Sequence, residues 1–266
     1  MPEGDNIKRV ATVLTREIVG HPLARLELND LGAVPELDGK RIEGVQPHGK
    51  HMLVTFEGGW SLRVHLGMHG SWLRKHVREA RPARWTVVLA VGEVAYVCVD
   101  SYRAELIKTS LLRTHPRLAR LGPDLLAEPP DIDEMVRRAR VPAHATREIA
   151  DVLLDQRIAA GIGNIYKSET LFERKVHPRT RVGALTEEQV RGLYETAAKL
   201  MRLNLLTRRR TAVPLKRRPE PSSQRFFVYE RGGQPCLDCK TPIVRFVQGD
   251  MGRSSYYCPE CQRENP

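Results

Sequence analysis

No run in this 266-residue chain reaches the about 18 consecutive apolar residues that a membrane-spanning helix requires, so helical channels and transporters are excluded. The opening MPEGDN lacks the basic and apolar stretches of a secretory signal, and a cytoplasmic protein is expected. There is no P-loop, no GxSxG elbow, no HExxH helix and no internal repeat, which leaves those nucleotide, hydrolase and zincin chemistries without support. Acidic residues are scarce: 32 Asp and Glu face 43 Lys and Arg, for a net charge of +11 and a pI near 9.7. The basic residues concentrate at 137–140 and 208–218, and nucleic acid is the natural counter-surface. An anionic membrane surface or a merely solvated basic face accounts for less.

Cysteine is also sparse, with five in the chain, four of them at Cys236, Cys239, Cys258 and Cys261. The spacing C-x2-C-x18-C-x2-C offers four thiolates in two tight pairs, the pattern of a tetrahedral structural zinc site. Two disulfides or a rubredoxin-like iron site are the alternatives; both fit a cytosolic chain less well. Between the pairs, short β-like runs at 243–247 and 255–257 flank a polar turn at 248–253, so the ion would staple a hairpin too small to hold itself. The fifth cysteine, Cys98, lies in VAYVCV and reads as a buried strand residue.

Three blocks follow from the patterning. Asp5 or Asn6 can cap a helix running to about Val19, with Ile7, Val10, Leu14 and Ile18 on one face and Gly20 as its stop. From Leu23 to about Lys108 short alternating or apolar runs such as HMLVTF, SLRVHL and WTVVLAV predict an antiparallel sandwich or barrel. Gly122-Pro123 and Pro129-Pro130 punctuate a linker into a helical block from Ile132 to about Leu206, and the basic stretch 207–223 reads as a mobile loop. The expected class is therefore α+β multidomain: an N-terminal helix plus antiparallel β-sandwich over 1–122, helices over 131–223 and a zinc-ribbon hairpin over 226–266.

The N-terminus carries chemistry of its own. Pro2 is small enough that Met1 is normally removed, which leaves a free secondary amine beside Glu3. Such an amine attacks a sugar C1′ or an aldehyde and forms an iminium ion. The reference pKa of an α-amino group is about 8, and a place at the positive end of the first helix disfavours the protonated form. Glu3 is positioned to donate or relay the proton that sugar-ring opening needs.

MPEG at the start, HGKHML around Lys50, HLGMHGSW from His65, LLDQRIAAGIGNIYKSE from Leu153 and MGRSSYYCPEC from Met251 together resemble the formamidopyrimidine-DNA glycosylase and endonuclease VIII family, most closely the endonuclease VIII branch in its second actinobacterial form. The resemblance spans the chain in the family's order. It implies a β-sandwich preceded by a helix, a helix-two-turn-helix domain and a zinc-ribbon finger. It also implies base excision repair by a bifunctional glycosylase that removes an oxidised base and cuts the strand by β,δ-elimination. Pro2 would be the Schiff-base nucleophile, Glu3 the acid, and Lys50 a phosphate contact that assists base release. Asn164, where two glycines let the backbone approach a phosphate and open a helix at Ile165, would clamp the phosphate flanking the lesion. Arg253 would grip the phosphate on its 3′ side and favour elimination.

An enzyme acting at C1′ must extrude its nucleotide and fill the gap; Met68 and His69 are the expected wedge. The oxidised-purine branch adds an Arg-Arg-Phe-Gly loop that probes the orphan cytosine. Here the stretch from Asp100 reads Asp-Ser-Tyr-Arg-Ala-Glu, with Ala104 in place of the plugging phenylalanine, Tyr102 in place of the first arginine, and Arg103 kept as a phosphate contact. Oxidised pyrimidines are therefore the expected substrates, in duplex or in single-stranded and bubble DNA, handled by a monomer in the bacterial cytoplasm at the nucleoid. The competing readings are an oxidised-purine glycosylase of the same family, a predominantly abasic-site lyase, and a non-catalytic zinc-ribbon DNA-binding protein.

Overall fold

The computed structural model describes residues 2–207, 209–214, 225–249 and 252–264, in two compact units, Met1–Arg120 and Leu121–Pro266. The first unit opens with helix α1 (Gly4–Ile18). Ile7, Ala11, Leu14 and Ile18 recur at helical spacing and are all buried; each of the large ones contributes about 1.5–3 kcal/mol by leaving water. The helix begins earlier than the expected cap at Asp5 or Asn6. Glu3 is extended at φ −128° and its carbonyl accepts from Asn6 N and Ile7 N at 3.0 and 3.2 Å. Asp5 and Asn6 thus fall in the first turn, where Asp5 complements the positive helix end.

Two antiparallel sheets follow, and the α+β sandwich expectation holds. One is ordered β2 (Gly32–Ala33), β1 (Arg25–Leu28), β7 (Trp85–Val91), β8 (Val94–Val99), β6 (Ser71–His76); the other is β3 (Ile42–His48), β4 (His51–Phe56), β5 (Trp60–His65), β9 (Arg103–Lys108). Period-2 alternation turns Leu26, Val87, Leu89, Tyr96 and Cys98 of the first sheet and Val54, Phe56, Leu62 and Val64 of the second into one core shared with α1. Burial pushes the Cys98 thiol up to about 12, so it is an inert core residue.

The second unit contains α2 (Ile132–Ala139), α3 (Ile149–Leu154), α4 (Asn164–Glu173) and α5 (Glu187–Leu205), then a hairpin of β10 (Val244–Gln248) and β11 (Arg253–Tyr257). Thr186 and Gln189 form a reciprocal capping box at the start of α5. The helices and the ribbon share one core: Cys236, Ile243 and Cys258 pack with Met135, Val152, Phe172, Tyr194 and Met201. Glu169, buried on α4, accepts the backbone N–H groups of Phe227, Val228 and Tyr229 at 2.7, 3.0 and 2.8 Å, fixing where the chain re-enters after the basic stretch. Residues 208 and 215–223 of the expected 207–223 loop, and Met251, lie outside the described residues.

Candidate active site

In the first unit, strand register gathers the candidate residues at one end of the second sheet. His48 pairs with His51, His51 with His65, and His65 with Arg103. The β3–β4 turn holding Lys50, the turn after β5 holding Met68 and His69, and the start of β9 with Tyr102 and Arg103 therefore share that end. Lys50 sits in the two-residue turn itself, half-buried; Gly49 at φ +57° supplies the left-handed first position that this turn geometry demands. Met68 is 52 % exposed and His69 is exposed, so neither is core.

Helix α1 runs antiparallel to β3. Gly20 N–H donates to Ile42 O at 2.8 Å and Thr15 Oγ1 donates to Val45 O at 3.3 Å. From Thr15 back to Glu3 the helix covers roughly 18 Å, against roughly 10 Å of strand from Val45 to His48. Its N-terminus, with half-buried Pro2 and fully buried Glu3, reaches the Lys50 end of the sheet.

Sequence reasoning missed the polar cluster beneath. Alternation places His51, Arg63, His65, Arg103 and Glu105 on the sheet face away from the core. Arg63, 1 % exposed, donates to Glu105 Oε1 from Nε at 2.5 Å and lies 2.8 Å from His51 Nδ1. Because a guanidinium only donates, Nδ1 is the acceptor and His51 carries its proton on Nε2. Burial, then His65 and Arg63, drive the His51 pKa down to about 2. Burial, then Lys50, Arg63 and Arg117, bring His65 to about 4. Both imidazoles are neutral near pH 7. His65 is a neutral donor and acceptor beside Lys50, and the HLGMHG motif that contains it was the available signal.

In the second unit the candidate residues also converge. Helix α4 opens at Asn164 itself, one residue before the expected Ile165, with extended Gly163 preceding it. The preceding motif explains its own spacing. Gln156 Nε2 donates to Leu154 O and Ile162 O at 2.8 and 3.0 Å while Gly161 N–H donates to Gln156 Oε1 at 3.1 Å, so one side chain pins the glycine turn. Burial opposes the charge on Asp155, yet its bonds to Arg157 and Arg147 hold that carboxyl at about 2.

Asn164 Nδ2 donates to Ser254 O at 2.7 Å, next to Arg253. The ammonium of Lys167, a buried residue that sequence reasoning passed over, donates to Asn164 Oδ1, Ser254 O and Ser255 Oγ at 2.6, 3.1 and 2.7 Å. Ser255 Oγ donates to Gln248 Oε1 at 2.6 Å, and Gln248 Nε2 donates to Glu148 Oε2 at 2.5 Å. Arg253, expected at the hairpin tip, is the first residue of β11 opposite Gln248, because the ladder extends to that pair.

The four ribbon cysteines suit a metal. All four sulfurs lie within 4.8 Å of one another, with Cys236–Cys261, Cys239–Cys258 and Cys239–Cys261 at 3.9, 3.3 and 3.5 Å. A tetrahedron of sulfurs about 2.3 Å from zinc has edges of about 3.8 Å. Asp238 N–H and Cys261 N–H donate to Cys236 Sγ and Cys258 Sγ at 3.4 and 3.5 Å, which supports thiolate charge. These separations are far from a disulfide's about 2.05 Å.

Residues 1–104 match the family described as Formamidopyrimidine-DNA glycosylase N-terminal domain, and residues 121–213 match Formamidopyrimidine-DNA glycosylase H2TH domain. The "Probable endonuclease 8 2" of Streptomyces coelicolor is 35% identical over 98% of this chain and 94% of its own. The "DNA-(apurinic or apyrimidinic site) lyase Nei2" of Mycolicibacterium smegmatis is 32% identical over 98% and 99%. Among solved structures, Lactococcus lactis Fpg in complex with DNA containing an abasic site superposes with a TM-score of 0.82 at 23% identity, over 99% of this chain and 100% of that one, and shares its fold. By these matches the chain belongs to the formamidopyrimidine-DNA glycosylase and endonuclease VIII family.

Proposed function

We propose that the protein is a bifunctional DNA glycosylase and abasic-site lyase of base excision repair, favouring oxidised pyrimidines. The observation that carries this reading is the location of Pro2 and Glu3 at the N-terminus of α1, at the same end of the sheet as Lys50 and His65. With Met1 removed, the Pro2 amine attacks C1′ as the glycosidic bond breaks, and the base leaves with a proton. Glu3 protonates the ring oxygen as the sugar opens to the iminium. Loss of the C2′ proton then expels the 3′ phosphate, a second elimination expels the 5′ phosphate, and water releases the amine. Lys50, Arg103, Asn164 and Arg253 hold backbone phosphates, and Met68 with His69 fills the gap left by the extruded nucleotide.

In this reading residues 1–122 form the catalytic domain, 131–223 the helix-two-turn-helix domain and 226–266 the zinc ribbon. One zinc ion on Cys236, Cys239, Cys258 and Cys261 supplies cross-linking and no reactive position, since protein thiolates fill the tetrahedron. Ala104 supports the pyrimidine preference: it lies within β9 opposite Val64, packed against the core, where it cannot plug a helix. The absence of that plug also favours single-stranded and bubble substrates. Among the described residues no helix is long and apolar enough to cross a membrane. The reading further takes the protein to act as a monomer in the bacterial cytoplasm, at the nucleoid.

The test is borohydride trapping of the Met1-processed protein on oligonucleotides bearing thymine glycol, 8-oxoguanine opposite cytosine, or an abasic site. Trapping strongest on thymine glycol supports the reading. Trapping confined to the abasic site makes the protein chiefly a lyase, and none on any substrate makes it a binding protein.

A further inference from the structure

Tyr102 is 65 % exposed, yet it is held from several sides. Its backbone N–H donates to His65 O at 3.0 Å. The His65 ring meets it edge-on at 5.7 Å, and the Arg117 guanidinium lies 5.8 Å from its ring centroid. Gly67, at φ +66°, approaches so closely that a Cβ there would stand 2.7 Å from Tyr102 Cβ, so the turn carrying Met68 is fitted to this tyrosine. The connection from β8 to β9 is only Asp100, Ser101 and Tyr102, leaving no length for a separate probing loop. Next to the ring opens a recess of about 440 Å³ lined by Arg63, Arg103, Glu105, His115 and Arg117, three guanidiniums against one carboxylate.

An ordered aromatic with an open surface beside a cationic recess is the chemistry that receives a nucleotide: the ring takes a base and the guanidiniums take its phosphate. We propose that Tyr102 is a stacking platform for the base opposite the lesion, and that the recess beside it receives a phosphate of that same strand. The proposal rests on the glycosylase reading, because extruding a nucleotide leaves its partner with an uncovered face and the turn that carries Met68 is packed on Tyr102 through Gly67. A tyrosine offers a π-face where an arginine would offer a hydrogen-bonding fork. Every base has a face to stack, so the opposite base is held without being read, and Tyr102 makes the enzyme tolerant of all four.

The test measures affinity for a tetrahydrofuran abasic analogue in a duplex and in the isolated strand, for the wild type, Tyr102→Ala and Tyr102→Phe, with 2-aminopurine opposite the analogue as a stacking probe. Tyr102→Ala lowers the duplex-to-single-strand affinity ratio about 5- to 150-fold and leaves 2-aminopurine brighter than in the wild-type complex. Tyr102→Phe restores both the ratio and the quenching. Equal losses on duplex and single strand, or unchanged quenching in Tyr102→Ala, overturn the proposal alone. A wild-type protein that binds neither form overturns the glycosylase reading with it.

Discussion

Lowering the pH from 7 to 5 should destabilise the first unit through His51 and His65. Their folded pKa values, about 2 and about 4, lie below the ordinary 6.5. A depressed histidine contributes its full share of stability above pH 6.5, and that share is lost as pH falls, because the unfolded chain binds a proton that the folded one refuses. At pH 5 each unfolded imidazole gains about 2 kcal/mol from protonation. For His51, 7 % exposed, the whole amount counts; half-buried His65 is screened, and about 1 kcal/mol is a fair share. The expected loss is about 3 kcal/mol, a large fraction of a typical domain's about 5–15 kcal/mol. Lowered carboxylates such as Glu27 and Glu105 lose their contribution only below the ordinary value of 4.5 and stay outside this window. All three tryptophans, Trp60, Trp72 and Trp85, lie in the first unit, so urea unfolding followed by tryptophan fluorescence reads that unit alone. In His51→Gln the amide oxygen can still accept from Arg63 but nothing titrates, and the loss between pH 7 and 5 should shrink by about 2 kcal/mol. An unchanged pH slope in that variant would refute the reasoning.

Pro2→Gly should reduce borohydride trapping to background while DNA affinity persists; a normal yield sinks the nucleophile assignment. Glu3→Gln should slow base release about 100-fold or more yet retain some elimination at preformed abasic sites, and release at the wild-type rate counts against the acid role. Stripping metal with a chromophoric chelator should release one zinc per chain and lower the melting temperature of the helical unit as well as of the ribbon, since Cys236 and Cys258 belong to the helical core. A helical unit whose melting is indifferent to verified metal loss contradicts that coupling. Lys167→Met removes three hydrogen bonds at 2.6–3.1 Å, each charge-assisted bond being worth about 1.5–3 kcal/mol. Amide exchange across 244–257 should accelerate and DNA affinity should fall at least tenfold, and an unaltered exchange pattern would show that the hairpin holds without it.

What was legible in the sequence was whatever repeats with the period of its element. Ile7, Leu14 and Ile18 announce α1, and Leu62 with Val64 announces a strand with an inward face, because burying apolar groups at fixed spacing is what makes those elements stable. The paired cysteines were legible because a tetrahedral ion constrains ligand number and local spacing. Boundaries were less so. The start of α1 shifted because Glu3, not Asp5 or Asn6, takes the N-cap position, its carbonyl accepting from Asn6 and Ile7 N–H with no side-chain cap bond. The β10–β11 ladder ran on to Arg253 because backbone pairing is indifferent to the polarity that had suggested a turn.

The residues that escaped notice are of one kind. Arg63, Lys167 and Glu169 are ionic types that ordinarily lie at the surface, and each is almost fully buried. Local spacing offers only the Asn164–Lys167 pair, because the other partners are remote in sequence: Arg63 meets Glu105, Lys167 meets Ser254 and Ser255, and Glu169 meets the amides of 227–229. A buried ion without partners costs several kcal/mol, so each one obliges two distant segments to hold a single relative geometry. Two of the three join segments bearing the candidate chemistry: Arg63 the strands beneath His65 and Tyr102, and Lys167 the Asn164 turn with the Arg253 hairpin. Apolar packing alone tolerates small slips between such segments. An ammonium shared among three acceptors does not, and that directional constraint is a physical reason to place Lys167, which touches no reacting atom in this reading, behind the phosphate-holding groups.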